Sequence, residues 1–321
     1  MCEIHVHTKK VTFKGIRAYD PTYTTTLRNA MARDMKRRFT EVIRAVIKSV
    51  DEEDCFGLRE PQTLARSTGR GAFRFGTHEQ KIAEFLEWLE EITKDSLLTI
   101  QELEQLGSAI YPIWTNKYIA QGYERGVKRA QTELRRIGYT IPVIEATPAF
   151  SFFSSPVHVQ RAGLLYIRTY NELKGITNLM QHYISRILAE GMLRGENPRL
   201  LAKKLVAAIN GKGIGELGLT DTLGRYISPM RRAEILARTE IIRAHHAGTI
   251  QEYRNWGVAG VRLTAEFKTA GDDRVCNECA SLEGTEYTLD EAENVIPVHP
   301  MCRCVMLPVS DSVRERKRNK K

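Results

Sequence analysis

The chain has no run of about 18 consecutive apolar residues, which excludes an ordinary transmembrane helix. Its opening, Met1-Cys2-Glu3-Ile4-His5-Val6-His7, lacks the basic-then-apolar order of a secretory leader. Six cysteines in 321 residues are too few for a disulfide-built module. No repeat of fixed period is visible, so a solenoid or propeller is not expected. What remains is 42% hydrophobic and 27% charged, enough apolar content to form a core and too much for global disorder. At roughly 150 residues per domain, the length suits about two domains.

The net charge of +9 is unevenly placed. Residues 28–48 hold seven basic and two acidic side chains, and residues 310–321 hold six and two, so these two segments carry the whole excess. A concentrated basic excess suits an anionic partner such as nucleic acid. The candidate contacts are Arg28, Lys36, Arg37 and Arg44, then Arg314, Arg316, Lys317, Arg318, Lys320 and Lys321. The competing reading is a solvated helix face and a solvated tail.

Periodicity predicts mainly helix. From Thr25 to Val50, apolar residues Leu27, Met31, Met35, Phe39, Val42, Val46 and Val50 recur every three or four positions. Thr77 with Gln80 suggests a capping box for a helix reaching Leu98, and a further helix spans about 101–137 with a break near 107–112. Ser155-Pro156, Asn197-Pro198 and Ser228-Pro229 each place a capping side chain before a proline suited to the first turn. They predict helices over about 156–190, 198–209 and 229–256. Alternation predicts strands within 258–269 and 302–309, and a small hairpin around Ile4, Val6, Val11 and Phe13. Glycines and prolines mark 55–76 as a loop, and 138–155 reads as a linker. The expected fold is α+β and predominantly α-helical: a helical N-terminal body with a small C-terminal α+β domain holding a Cys/His cluster. The expected division is a helical region 1–150 with the basic helix, a helical middle 151–228, a Cys/His domain 229–309 and a basic disordered tail 310–321.

Two motifs speak to chemistry. Gly213-Ile-Gly-Glu-Leu-Gly218 matches the dinucleotide-binding pattern, but a helix rather than a strand precedes it, so it reads as an inter-helix loop. The stronger one is Cys276-Val-Asn-Glu-Cys279, then nineteen residues, then His299-Pro-Met-Cys302-Arg-Cys304. Zinc prefers four thiolate or imidazole ligands in a tetrahedron, and a two-residue gap lets one tight turn aim two side chains at one ion. Cys276, Cys279, His299 and Cys302 supply two such turns, with Cys304 a fifth donor. On a strand, Cys302 and Cys304 share a face with Arg303 opposite. A reduced thiol cluster or a disulfide is the alternative. A zinc deaminase is excluded, because none of the eight histidines opens a His-x-Glu pair.

Thr239 sits mid-helix, where propensity does not favour it. Its neighbours predict helix ion pairs, Glu234 with Arg238 and Glu240 with Arg243. A sharper alternative places Glu240 against Arg274 or Arg303, beside the cysteines. His245-His246, on the same helix, read as surface or packing residues.

The order Ala237-Arg238-Thr239-Glu240, Asp273-Arg274-Val-Cys-Asn-Glu-Cys279, Leu282-Glu-Gly284 and His299-Pro-Met-Cys-Arg303-Cys304 resembles the phage Mu protein F-like family of head morphogenesis proteins, over about residues 197–309. The resemblance implies a non-enzymatic minor capsid protein of a tailed bacteriophage, found in the virion head interior and, during assembly, in the host cytoplasm. It implies contact with the portal protein and with double-stranded DNA without sequence preference, extending to scaffold or major capsid protein, and no membrane. Arg238, Thr239, Glu240, Asp273, Arg274 and Arg303 are then family-motif residues of structural role, and zinc is a structural staple. Two rivals make different demands. A zinc-dependent hydrolase uses His299 with Asp272 or Glu283 as base and needs an open ligand position. A zinc-ribbon regulator needs sequence-specific DNA binding by the C-terminal domain alone.

Overall fold

The computed structural model describes residues 20–59, 78–98, 113–140, 156–211, 226–258 and 263–310. The expected N-terminal hairpin, most of the 55–76 loop and the 138–155 linker, the first part of the 101–137 helix, the Gly213–Gly218 motif and the basic tail lie outside them. The chain is α+β and mainly α-helical, with the order α1 Thr25–Ile47, a π-helical turn Lys48–Glu52, α2 His78–Leu97, α3 Asn116–Arg136, α4 Pro156–Leu193, α5 Pro198–Asn210, α6 Pro229–Val258, β1 Thr264–Lys268, α7 Asn277–Ser281, β2 Glu286–Tyr287, α8 Leu289–Ala292 and β3 Val305–Val309.

The apolar stripe of α1 is buried as its spacing requires: Leu27, Met31, Met35, Phe39, Val42 and Val46 all lie in the core. Its N-terminus is capped from a distance. The Asp20 carboxylate accepts from the backbone N–H groups of Thr22, Thr24 and Thr25 at 2.8–3.1 Å, where the first turn has free donors. It also accepts from Arg28 at 2.8 Å, and Arg28 is buried. Burial opposes ionisation of Asp20, but the Thr22, Thr25 and Arg28 contacts outweigh it and hold the carboxyl well below the usual range. Arg28 is therefore a structural residue, which removes it from the expected nucleic-acid contacts. The expected caps at α5 and α6 are present: Asn197 accepts from Leu200 N–H at 2.8 Å and Ser228 from Arg231 N–H at 3.2 Å.

Helix α6 is the centre of the molecule, packed against α1, α3 and α4. It buries Ala233, Ala237, Ile241, Ile242, Ile250 and Tyr253, and also Glu240, His245, His246, Thr249, Gln251 and Glu252. His245 and His246 are packing residues; burial pushes them down to about 3 and about 4, so both are neutral. The α3–α6 contact is backbone to backbone. A Cβ on Gly126 would lie 1.9 Å from the His245 carbonyl oxygen, one on Gly248 2.3 Å from the Tyr123 oxygen, and one on Gly122 3.2 Å from the Ile241 oxygen. A polar network joins α3 to both α6 and α4. Gln131 donates to Glu252 at 2.9 Å, the Trp256 indole donates to the same carboxylate at 2.9 Å, and Tyr123 and His158 are hydrogen-bonded at 2.9 Å.

Two cores result. The larger joins α1 to α6; the smaller joins Ala130 and Leu134 of α3 and Ile242, Ile250 and Tyr253 of α6 to the sheet and the cysteines. Helix α6 contributes to both, so residue 229 falls at the start of a shared helix rather than between cores. The sheet is antiparallel in the order β2-β1-β3, with Ala265 opposite Pro308 and Phe267 opposite Met306. β1 is shorter than the strand expected from 258, because α6 runs on to Val258. β3 begins at Val305, three residues after the expected start at Cys302.

Gly126→Ala should destabilise the fold by on the order of 3 kcal/mol, since the new methyl collides with backbone and not with a side chain that can turn away. Gly163→Ala on α4, with no atom within 4 Å of its Cβ position, should be neutral or stabilise by up to about 1 kcal/mol. Urea titration of both variants, read by circular dichroism, measures the difference.

Candidate metal centre

Two short turns bring the five predicted donors together. The first is the start of α7. Cys276 is its N-cap residue, and its Sγ accepts from the Cys279 N–H at 3.3 Å, so the cap geometry directs both sulfurs to one side. The second turn is His299-Pro300-Met301-Cys302. Cys302 N–H donates to the His299 carbonyl at 3.2 Å, and Met301 takes the left-handed conformation at φ 63°, which closes the turn. His299 Nδ1 donates to the Pro300 carbonyl at 2.8 Å. That bond leaves Nε2 with its lone pair, 3.2 Å from both Cys276 Sγ and Cys279 Sγ.

The donors form two overlapping triads, Cys276/Cys279/His299 and Cys279/Cys302/Cys304, each with its ligand atoms within 4.8 Å of one another. All five cysteines among the described residues are free thiols, so the disulfide alternative is not the arrangement here. Cys302 and Cys304 enter the same triad while Arg303 turns the other way, as the alternation predicts, although the strand itself starts one residue later. A tetrahedral ion with sulfurs about 2.3 Å away needs ligand atoms about 3.8 Å apart, which is within the spacing of both triads. The outer triad is half-buried and mixed nitrogen and sulfur; the inner one is fully buried and all sulfur.

The electrostatics favour thiolate at Cys302 and Cys276 and the neutral thiol at Cys279 and Cys304. The Cys304 S–H bond pushes Cys302 down to about 5, and the same contact with burial pushes Cys304 up. Burial and the neighbouring Cys302 charge push Cys279 up to about 12. The Cys279 N–H lowers Cys276. Burial lowers His299, but the Pro300 carbonyl and the nearby sulfurs outweigh it and raise it overall.

An ion pair ties the two turns together. Arg303 donates to both Asp272 oxygens, at 2.5 and 2.6 Å, and Arg274 donates to the same carboxylate at 3.0 Å. Asp272, not the expected Asp273, is the structural carboxylate; Asp273 is exposed. Glu240 does not reach Arg274 or Arg303 as the sharper expectation had it, because Asp272 occupies them. Three consecutive α6 residues instead address three different neighbours, as the roughly 100° step of a helix allows. Arg238 donates to Asn29 of α1 at 2.6 Å, Thr239 accepts from the Met301 N–H at 3.0 Å, and Glu240 pairs with Arg168 of α4 at 3.3 Å. The expected helix pairs are also present, Glu234 with Arg238 at 3.6 Å and Glu240 with Arg243 at 3.2 Å.

Far from this centre, Lys36, Arg37 and Arg44 are exposed on α1, and Arg33 and Lys48 extend the same stripe. The latter two were not singled out from sequence, though their spacing of four from Arg37 and Arg44 carries the signal.

Residues 182–307 match the family model described as Phage Mu protein F like protein. This stretch is similar to the phage Mu protein F-like family. The Mu F-like region runs from the last third of α4 into β3 and contains all five donors, the Arg238-Thr239-Glu240 segment and the Asp272–Arg303 pair. No curated protein and no solved structure matches the chain.

Asp272→Asn should loosen the Mu F-like region by about 2 kcal/mol, the range for hydrogen bonds to charged groups. The sign with pH follows from the depressed Asp272 carboxyl, whose Arg303 bonds outweigh burial. Its contribution is complete above the unfolded carboxylate range near about 4 and is lost as pH falls through the folded value. Thermal melts from pH 7 to pH 2 should show the gap between wild type and D272N narrowing as the pH drops.

Proposed function

We propose that the protein is a minor head morphogenesis protein of a tailed bacteriophage, structural and non-enzymatic, which lies inside the head and contacts the portal and the packaged DNA. The observation that carries this reading is the Mu F-like match over residues 182–307, with the five-donor cluster inside it. Among the described residues no helix is long and apolar enough to cross a membrane, in keeping with a virion role.

The Cys/His cluster serves as a structural zinc site, held by Cys276, Cys279, His299 and Cys302 with Cys304 as fifth donor. Bound zinc would supply cross-linking of the two turns, so its binding free energy is folding free energy for the small core. The hydrolase reading fits less well. Both carboxylates it needs as bases are engaged in ion pairs: Asp272 with Arg303 and Arg274, Glu283 with Lys268 at 2.5 Å and with the Thr269 N–H at 2.6 Å. Those partners lower both carboxyls, against the direction a general base requires.

The exposed α1 stripe and the basic tail are the proposed DNA contacts. Clustered lysines and arginines address phosphate, so binding is sequence-blind.

Co-purification of the chain with portal from infected cells, and its presence in assembled heads, tests the central reading; absence from heads overturns it. Elemental analysis should give about one zinc per chain, and Cys279→Ala should abolish that zinc and loosen the 263–310 region in hydrogen exchange. Lys36→Glu, Arg37→Glu and Arg44→Glu together should leave a folded protein whose DNA affinity falls. The slope of log affinity against log salt should shrink by about 2–3, the value for three lost phosphate contacts. Removing residues 312–321 should lower the slope further without shifting the melting temperature.

A further inference from the structure

We infer that Thr239 is a positioning residue for the metal centre: from its fixed place on α6 it holds the Met301 amide and sets the turn that aims His299 and Cys302 at Cys276 and Cys279. The inference rests on the metal reading proposed above and adds the part of the molecule outside the ligand loops on which that centre depends.

Three observations converge. Met301 is a non-glycine residue at φ 63°, between the two ligands of the His299–Cys302 turn. A side chain with a Cβ disfavours that conformation by about 1–2 kcal/mol, so something must hold it. The holding contact is the Met301 N–H donated to Thr239 Oγ1 at 3.0 Å, from a residue 62 positions away in sequence. The hydroxyl is itself oriented, because it donates to the Ile235 carbonyl at 2.7 Å and so turns a lone pair toward the loop. A valine has the shape of threonine but neither bond, and a serine keeps both.

The placement explains a residue that helix propensity does not. It also ties the loop to the main body, because Arg238 and Glu240 on either side are bound to Asn29 of α1 and Arg168 of α4. Thr239 cannot rotate away from the loop without disturbing those contacts. Groups that hydrogen-bond the ligand loops of a metal site act in this way: they touch no metal, but fix the ligands at their working separation, and their loss weakens binding about 10–100-fold.

The test is titration of the full chain with Co²⁺ and Zn²⁺, as wild type, Thr239→Val, Thr239→Ala, Thr239→Ser and Thr132→Val. Thr132 on α3 makes the same kind of bond, to the Lys128 carbonyl at 2.9 Å, and is exposed. Wild type should show thiolate-to-cobalt charge transfer and the visible bands of a tetrahedral ion. Thr239→Val and Thr239→Ala should bind both metals about 10–100-fold more weakly, with altered visible bands. Alanine favours helix, so a folding failure of α6 is not expected for that variant. Thr239→Ser should restore wild-type affinity and spectrum, and Thr132→Val should match wild type. Unchanged affinity and spectrum in folded Thr239→Val and Thr239→Ala would overturn the inference while leaving the metal centre standing. Absence of tetrahedral thiolate bands in wild type would overturn the metal reading, and this inference with it.

Discussion

The contact between α3 and α6 sets the position of everything else. Three glycines, Gly122, Gly126 and Gly248, remove the side chains that would otherwise hold the two backbones apart. With the helices this close, α6 becomes too enclosed to have a solvent face, and its polar residues must find partners inside. Several do: Gln131 and Trp256 satisfy Glu252, Thr249 donates to the Gly126 and His245 carbonyls, and His246 Nε2 bonds the Ala292 carbonyl at 2.8 Å. The same closeness brings the smaller core and the cysteine turns within reach of α6 at Thr239.

What was legible in the sequence was local. Asn197 and Ser228 are caps because a side-chain oxygen two or three residues before a free N–H needs no tertiary information. The α1 stripe was legible because a one-sided helix shows its period. The Cys/His cluster was legible because two turns of fixed span set which side chains can meet, and spacing alone encodes that. The family resemblance rested on the same run of residues, and the matched region, 182–307, contains it.

What was not legible depended on distance or on enclosure. Arg28 looked like a surface cation until Asp20, eight residues earlier, folded back as its partner. Asp272 and Asp273 are indistinguishable in the string; only the turn before α7 decides which carboxylate meets Arg303. Glu240 pairs with Arg243 as its spacing predicts, but its second partner, Arg168, is not legible because the sequence does not show that α4 passes beside it. The glycines of α3 and α6 give no local sign of their role, since a close approach belongs to two elements and neither one announces it. His245 and His246 were ambiguous for the same reason: a helix buried all round has no period to read.

One feature of β3 bears on how such a chain behaves among many copies of itself. Within the described sheet β3 lies at an edge, where unpaired backbone invites a strand from a neighbour. Pro308 has no N–H to offer there, and the Tyr253 hydroxyl already occupies the Met306 carbonyl at 3.2 Å. The edge is thus spoiled as a template at two of its five positions, once by covalent structure and once by a side chain from the central helix. A chain so built offers a neighbour's strand fewer free groups at this edge, because one N–H is missing and one carbonyl is already in use.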